Sequence, residues 1–215
     1  MPTVTDNFPT TGSTLGANWT VTTGSSCRVV AAAQAKGPSF GTGANYYSGA
    51  GAFGNDHQAT VTPVWGSGAT GANDYVQAMV RCSSSGNGYA LRITKTGSGT
   101  YTARLWRMDA GSSTSLNVAT SISIAEGTDT FTLGVVGTTL TGYQNGVAIS
   151  GQSFTDTTYA TGYPGMQISD ASTNTILISA FTATDGGGGG GGSSDAPVAP
   201  IVGLLKRSRS TLRRM

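Results

Sequence analysis

Asp74-Tyr-Val-Gln-Ala-Met-Val-Arg-Cys82 decides the fold, because Val76, Ala78, Val80 and Cys82 form one apolar file and Tyr75, Gln77, Met79 and Arg81 a mixed one. Successive side chains of a strand leave opposite faces, so this period of two predicts a strand with one face in a core and one toward solvent. The alternation recurs downstream. Leu91 and Ile93 separate from Arg92 and Thr94, Ala103 and Leu105 from Arg104 and Trp106, and Phe131, Leu133 and Val135 from Thr130, Thr132 and Gly134. Two sheets, each with one wet face, fit this pattern.

Working outward, strands are expected near residues 19–23, 28–33, 58–64, 74–83, 89–96, 101–109, 115–124, 130–136, 138–144, 147–153, 162–168 and 175–184. Gly, Ser, Asn and Asp clusters separate them, among them Ser85-Gly-Asn-Gly88, Gly97-Ser-Gly99, Glu126-Gly-Thr-Asp129 and Asn145-Gly146, the last a type I′ hairpin pair. The expectation is an all-β, two-sheet antiparallel sandwich. With 33 glycines and a single glutamate, the composition favours turns and strands over helices.

The sandwich is expected to occupy residues 1–185. Seven glycines, Gly186 to Gly192, then open a linker over 186–194, since polyglycine supplies no core side chain. An apolar and basic tail follows over 195–215. Through Asp185 seven basic residues face nine acidic ones, whereas the remainder has five basic residues against Asp195, so any acidic partner belongs to the tail. The opening Met1 to Phe8 has neither a basic n-region nor an apolar h-region, which leads to the expectation of synthesis and folding in a cytoplasm. In such a compartment Cys27 and Cys82 are expected to stay reduced. No apolar run approaches the roughly 20 residues of a membrane span.

Several stretches resemble the concanavalin A-like lectin/glucanase superfamily, in its laminin-G-like jelly-roll form. They are Asp6-Asn-Phe8, Leu15-Gly-Ala-Asn-Trp-Thr-Val21, Phe53-Gly-Asn-Asp56, the hairpin from Leu133 to Gly146, Gly162-Tyr-Pro-Gly-Met166 and Ile176 to Ala183. The resemblance spans nearly all of residues 5–185 and implies two curved antiparallel sheets. A version that starts without a signal sequence is similar to domains of tailed-bacteriophage virion proteins. That likeness implies a tail, fibre or capsid-decorating component, oligomeric within a particle, made in a host cytoplasm. The superfamily also contains sugar binders and enzymes, so a carbohydrate-binding module is the alternative and a glycoside hydrolase ranks last.

The enzymes of that superfamily carry a Glu-x-Asp-x-x-Glu strand that sets two carboxyl groups on one face. No such strand occurs here. Glu126 lies in a turn, and no two Asp residues share a strand at suitable spacing. His57, the one histidine, reads as an exposed turn residue, and one His with two Cys is too few for zinc. Oxygen ligands for calcium could come from Asn55, Asp56, Asp74, Asp156, Asp170 and Asn174 at the rim, but these are also ordinary turn residues, so no cofactor is assigned.

Two surfaces remain. On the wet face of the central strands, alternation sends Gln77, Arg81, Arg92, Arg104 and Trp106 to one side, where flat rings and guanidinium forks suit a sugar ring or an acidic glycan. In the tail, Ile201, Val202, Leu204 and Leu205 are apolar enough to fill a partner's groove, beside Lys206, Arg207, Arg209, Arg213 and Arg214. This segment is expected to anchor the domain to neighbouring virion subunits. Five basic residues without interleaved aromatics do not make a specific nucleic-acid site.

Overall fold

The computed structural model describes residues 3–9, 14–24, 27–30, 34–37, 41–49, 53–66, 74–97, 99–110, 112–170 and 176–186. Their Thr-, Val- and aromatic-rich runs form β1 (Thr3–Asp6), β2 (Trp19–Gly24), β3 (Arg28–Val30), β4 (Gln34–Lys36), β5 (Gly41–Tyr47), β6 (His57–Trp65), β7 (Tyr75–Cys82) and β8 (Gly88–Gly97). The second half adds β9 (Thr100–Asp109), β10 (Ser112–Ser115), β11 (Thr120–Ile122), β12 (Phe131–Val136), β13 (Thr139–Gln144), β14 (Val147–Thr155), β15 (Tyr163–Asp170) and β16 (Ile176–Asp185). The expected anchor residues and Asn174 lie outside the described residues.

One sheet has the order β14-β13-β12-β6-β16-β4-β3, with β1 added on β16; the other has β10-β9-β8-β7-β15-β5-β2, with β11 added on β9. All pairings are antiparallel, and the chain changes sheets after β1, β2, β4, β5, β6, β11, β14 and β15. This is the two-sheet antiparallel sandwich expected from alternation, in the jelly-roll form that the resemblance implied. Asn145 and Gly146 both take positive φ, 52° and 78°, as their type I′ turn requires.

Between the sheets Val76, Ala78, Val80, Leu91, Ile93, Ala103, Leu105, Phe131, Leu133 and Val135 are all inaccessible, so these alternation assignments hold. Phe8, Trp19, Tyr47 and Phe181 close one part of this core, with Trp19 edge-on to Phe181 at 4.7 Å and its Nε1–H donated to Asp6 at 2.8 Å. Three strands were not foreseen. β1, β4 and β5 hold too few large apolar residues to show a period, and neighbouring strands recruit them by backbone pairing. The expected strand over 115–124 is instead two short pieces on β9, interrupted where Asn117 turns inward to accept from the Leu105 N–H at 3.0 Å.

Arg81 produces the largest departure from simple alternation. It has φ of 54°, an unusual value for a residue with a long side chain, and β15 shifts register opposite it. This bulge exchanges the faces of Arg81 and Cys82. Cys82 joins Tyr46, Met79, Ala90 and Met108 on the outer side of the second sheet rather than the inter-sheet core. Arg81 turns to the rim of the sandwich. There its guanidinium donates to the carbonyls of Asn55 (2.9 and 3.1 Å), Tyr159 (2.8 Å) and Gly137 (2.6 Å). Gly162 permits the bulge, because a Cβ there would stand 2.3 Å from the Arg81 carbonyl carbon.

Candidate functional site

The two outer faces differ sharply. On the first sheet, Gln58, Thr60, Thr62 and Val64 alternate outward along β6 as half-buried residues, and Thr60 bonds Thr132 at 2.8 Å, an ordinary hydrated threonine face. On the second sheet the outward residues are sunken. Gln77 is 0 %, Met79 2 %, Met108 3 % and Gln167 3 % exposed, so the expectation of a wet face over these strands is corrected. Recessed beneath their neighbours, these residues mark a furrow over an apolar cluster of Tyr46, Met79, Cys82, Ala90 and Met108. Trp106 and Tyr163 pack against that cluster, and Tyr163 stacks on Tyr46 with ring centroids 4.9 Å apart.

Strand register brings together four of the five residues expected there. Gln77 is level with Arg92, and Arg92 with Arg104. The Arg92 guanidinium lies between two rings, 3.9 Å from the Tyr75 centroid and 4.1 Å from that of Trp106, with Arg104 at 5.5 Å from the latter. Hydrogen-bonding sense orients the Gln77 amide so that its oxygen accepts from Arg92 Nε (2.7 Å) and Nη2 (2.9 Å) while its nitrogen donates to Gln167. Arg92 Nη2 also donates to Ser113 at 3.2 Å. Burial pulls the Arg92 guanidinium below its ordinary pKa; the Tyr75 phenol opposes this, and the charge of Arg104 adds to it.

Arg81, the fifth expected residue, is absent from this group for the reason given by its bulge. Tyr75 and Gln167 are the residues missed. For Gln167 a signal existed in the alternation of Gly165, Gln167 and Ser169 against Met166 and Ile168 on β15.

A concavity of about 560 Å³ opens at the rim, lined by Asn55, Asp56, Arg81, Thr138, Tyr159 and Asp185 among others. Arg81 spends its donors on the carbonyls named above. Asp56 accepts from the Gly137 N–H (2.8 Å), and Asp185 accepts from the Gly54 N–H (2.7 Å). These contacts tie loops together. His57, expected to be exposed in a turn, is instead fully buried at the start of β6, with Nδ1 bonded to the Gly54 carbonyl at 2.9 Å and Nε2 accepting from the Arg81 N–H at 3.1 Å.

The carboxylates with resolved shifts are engaged similarly. Burial alone would raise Glu126, but hydrogen bonds from Tyr101 and Lys95 hold it below the usual range, and Lys95 Nζ is 2.9 Å away. Arg107 bridges Asp109 (3.1 Å) and Asp156 (3.2 Å), which also accept from Tyr159 and Tyr89 and are likewise lowered. Among the described residues no group of three or more His, Cys, Asp or Glu side chains is placed to hold a metal ion.

No protein-family model matches the sequence, and no curated protein matches it. Solved structures do share the fold. The carbohydrate binding module CBM66 from Bacillus subtilis superposes with a TM-score of 0.58 at 14% identity, covering 78% of this chain and 96% of that one. The Crh5 transglycosylase in complex with NAG gives 0.54 at 14% identity, with 86% and 84% covered. The exoplasmic/lumenal domain of VIP36, in a form bound to Ca2+ and Man3GlcNAc, gives 0.53 at 10% identity, with 78% and 82% covered. At these identities the likeness is one of fold alone, a two-sheet jelly-roll sandwich.

Proposed function

We propose that this domain is a non-catalytic carbohydrate-binding module that receives its ligand on the outer face of the second sheet. The observation that carries this reading is the contrast between the two faces. One is a threonine ladder, whereas the other is a furrow with an apolar and aromatic floor and a fixed set of amide and guanidinium donors. Sugar rings present apolar C–H faces and equatorial hydroxyls, and such a mixed surface complements both. A neighbour of similar fold is itself a carbohydrate binding module, and two others were solved with saccharides.

The non-catalytic reading starts from a sequence in which no strand sets two carboxyl groups on one face. Glycoside hydrolysis needs one carboxyl group kept protonated near neutrality by a raised pKa. Hydrogen bonds that support a loop or turn hold four of the carboxylates, Asp109, Glu126, Asp129 and Asp156, low, and these four do not fit that part.

The sequence alone ranks a virion component above a glycan binder; the character of the furrow favours the reverse order. Display on a tailed-phage particle, docked through residues 195–215, is the setting implied by the sequence resemblance, and mass spectrometry of purified particles tests it. Glycan-array screening of the full chain against Trp106→Ala and Arg104→Ala tests the binding face. Loss of array signal in both variants is expected, and unchanged affinity for every retained glycan would remove the furrow as the site.

A further inference from the structure

Arg92 and Arg104 are direct cross-strand partners on the furrow floor, an arrangement in which like charges repel. Three other cations of the sandwich have an acidic partner. Arg81 is 3.7 Å from Asp56, Lys95 2.9 Å from Glu126, and Arg107 bridges two aspartates. Among the described residues neither Arg92 nor Arg104 forms an ion pair. Burial lowers the Arg92 pKa, and the neighbouring Arg104 guanidinium lowers it further.

Two further donors on this face are unmet. Arg104 Nε and Trp106 Nε1 are covered and have no hydrogen-bond partner. A covered N–H without an acceptor is costly, and a half-buried guanidinium beside another is costlier still. One kind of group relieves both defects at once: an anion whose oxygens lie between the two arginines. Arg104 is half-buried, and rotation about its terminal bonds would swing its Nε–H toward such an oxygen.

Building on the carbohydrate reading, we propose that the furrow selects acidic saccharides, with the carboxylate or sulfate group held by Arg104 and Arg92 and the sugar ring resting beside Trp106. Arg92 is the fixed member, immobilised by Tyr75, Trp106, Gln77 and Ser113. Arg104 is the adjustable one. Uronate and sulfate oxygens both suit a guanidinium fork. The excess of acidic over basic residues through Asp185 disfavours a polyphosphate, whose affinity grows with the number of cations offered.

The experiment is calorimetric titration of the full chain with oligogalacturonate, with the same oligosaccharide as its methyl ester, and with a sulfated oligosaccharide. At least one acidic ligand is expected to bind about tenfold or more tightly than the neutral ester, with affinity falling as salt rises. Arg104→Gln should abolish that preference, Arg104→Lys retain part of it, and Trp106→Phe, which keeps the ring but removes the N–H, weaken it. The uronate and sulfate arms identify the anionic group. Equal binding of acid and ester, unaffected by Arg104→Gln but lost in Trp106→Ala, would overturn the acidic selectivity and leave the carbohydrate reading standing. Failure of every saccharide to bind, or binding of a single-stranded oligonucleotide in their place, would overturn both.

Discussion

The backbone N–H of Arg81 donates to Nε2 of His57 across 3.1 Å, which fixes the imidazole in the tautomer protonated at Nδ1 and leaves it neutral. The two residues stabilise each other. The histidine accepts the N–H that the bulge removes from sheet pairing, and the arginine side chain gathers three loop carbonyls above it.

A pH dependence follows from this pair. Burial, the largest influence, lowers the His57 pKa from 6.5, so the unfolded chain takes up the proton before the folded one does. The contribution of His57 is therefore complete above about pH 6.5 and declines as pH falls toward the lower folded-state value. Thermal melts between pH 7.5 and 5 should show a falling Tm. His57→Gln, although less stable at neutral pH, should show a shallower fall over that interval.

Gly162 has φ of 145°, and an added Cβ would overlap the Arg81 backbone. Gly162→Ala should cost about 3 kcal/mol, since neither chain can withdraw without undoing the bulge. Chemical denaturation of the variant measures this; a loss below about 0.5 kcal/mol would show that the bulge can be re-formed differently.

Glu126 clamps the 125–129 turn to β8 and β9 through Lys95 and Tyr101. Glu126→Gln should destabilise the fold by about 2 kcal/mol, because Lys95 is 7 % exposed and would lose its counter-charge. Since hydrogen bonding lowers the carboxyl pKa in the folded state, this contribution is present above the usual carboxylate pKa and is lost as pH falls through the folded value. The wild-type and variant stabilities should therefore converge in acid.

Cys27 packs in the inter-sheet core and Cys82 on the outer side of the second sheet, and no disulfide joins them. Burial pushes the Cys27 thiol up to about 12 and raises Cys82 as well. Neither should react with a maleimide in the native protein within minutes, and both should react after denaturation.

Much of the sandwich was legible because its central strands obey a period of two over most of their length, from Val76 to Val80 and through Leu91, Ile93, Ala103, Leu105 and Leu133. The bulge was not, because nothing in Val80-Arg-Cys82 marks an arginine for the left-handed region; the constraint lies in Gly162, far along the chain. His57 misled for a related reason. Its flanking Asn and Asp are turn residues, but its own position begins a strand whose inward face is continuous with the core. Four residues of the candidate site were legible from alternation on three successive strands. Their packing was not, because the cross-strand stacking that buries Gln77 and half-buries Arg92 leaves no periodic trace.

The central claim, that ligand enters the furrow and not the rim cleft, is tested most directly by mapping backbone amide and indole shifts during titration with a binding oligosaccharide. The largest changes are expected at Gln77, Arg92, Arg104, Gln167 and the Trp106 indole, with Trp19 and Trp65, buried in the other core, nearly unmoved. Changes centred instead on Asn55, Asp56, Thr138 and Tyr159 would contradict the account.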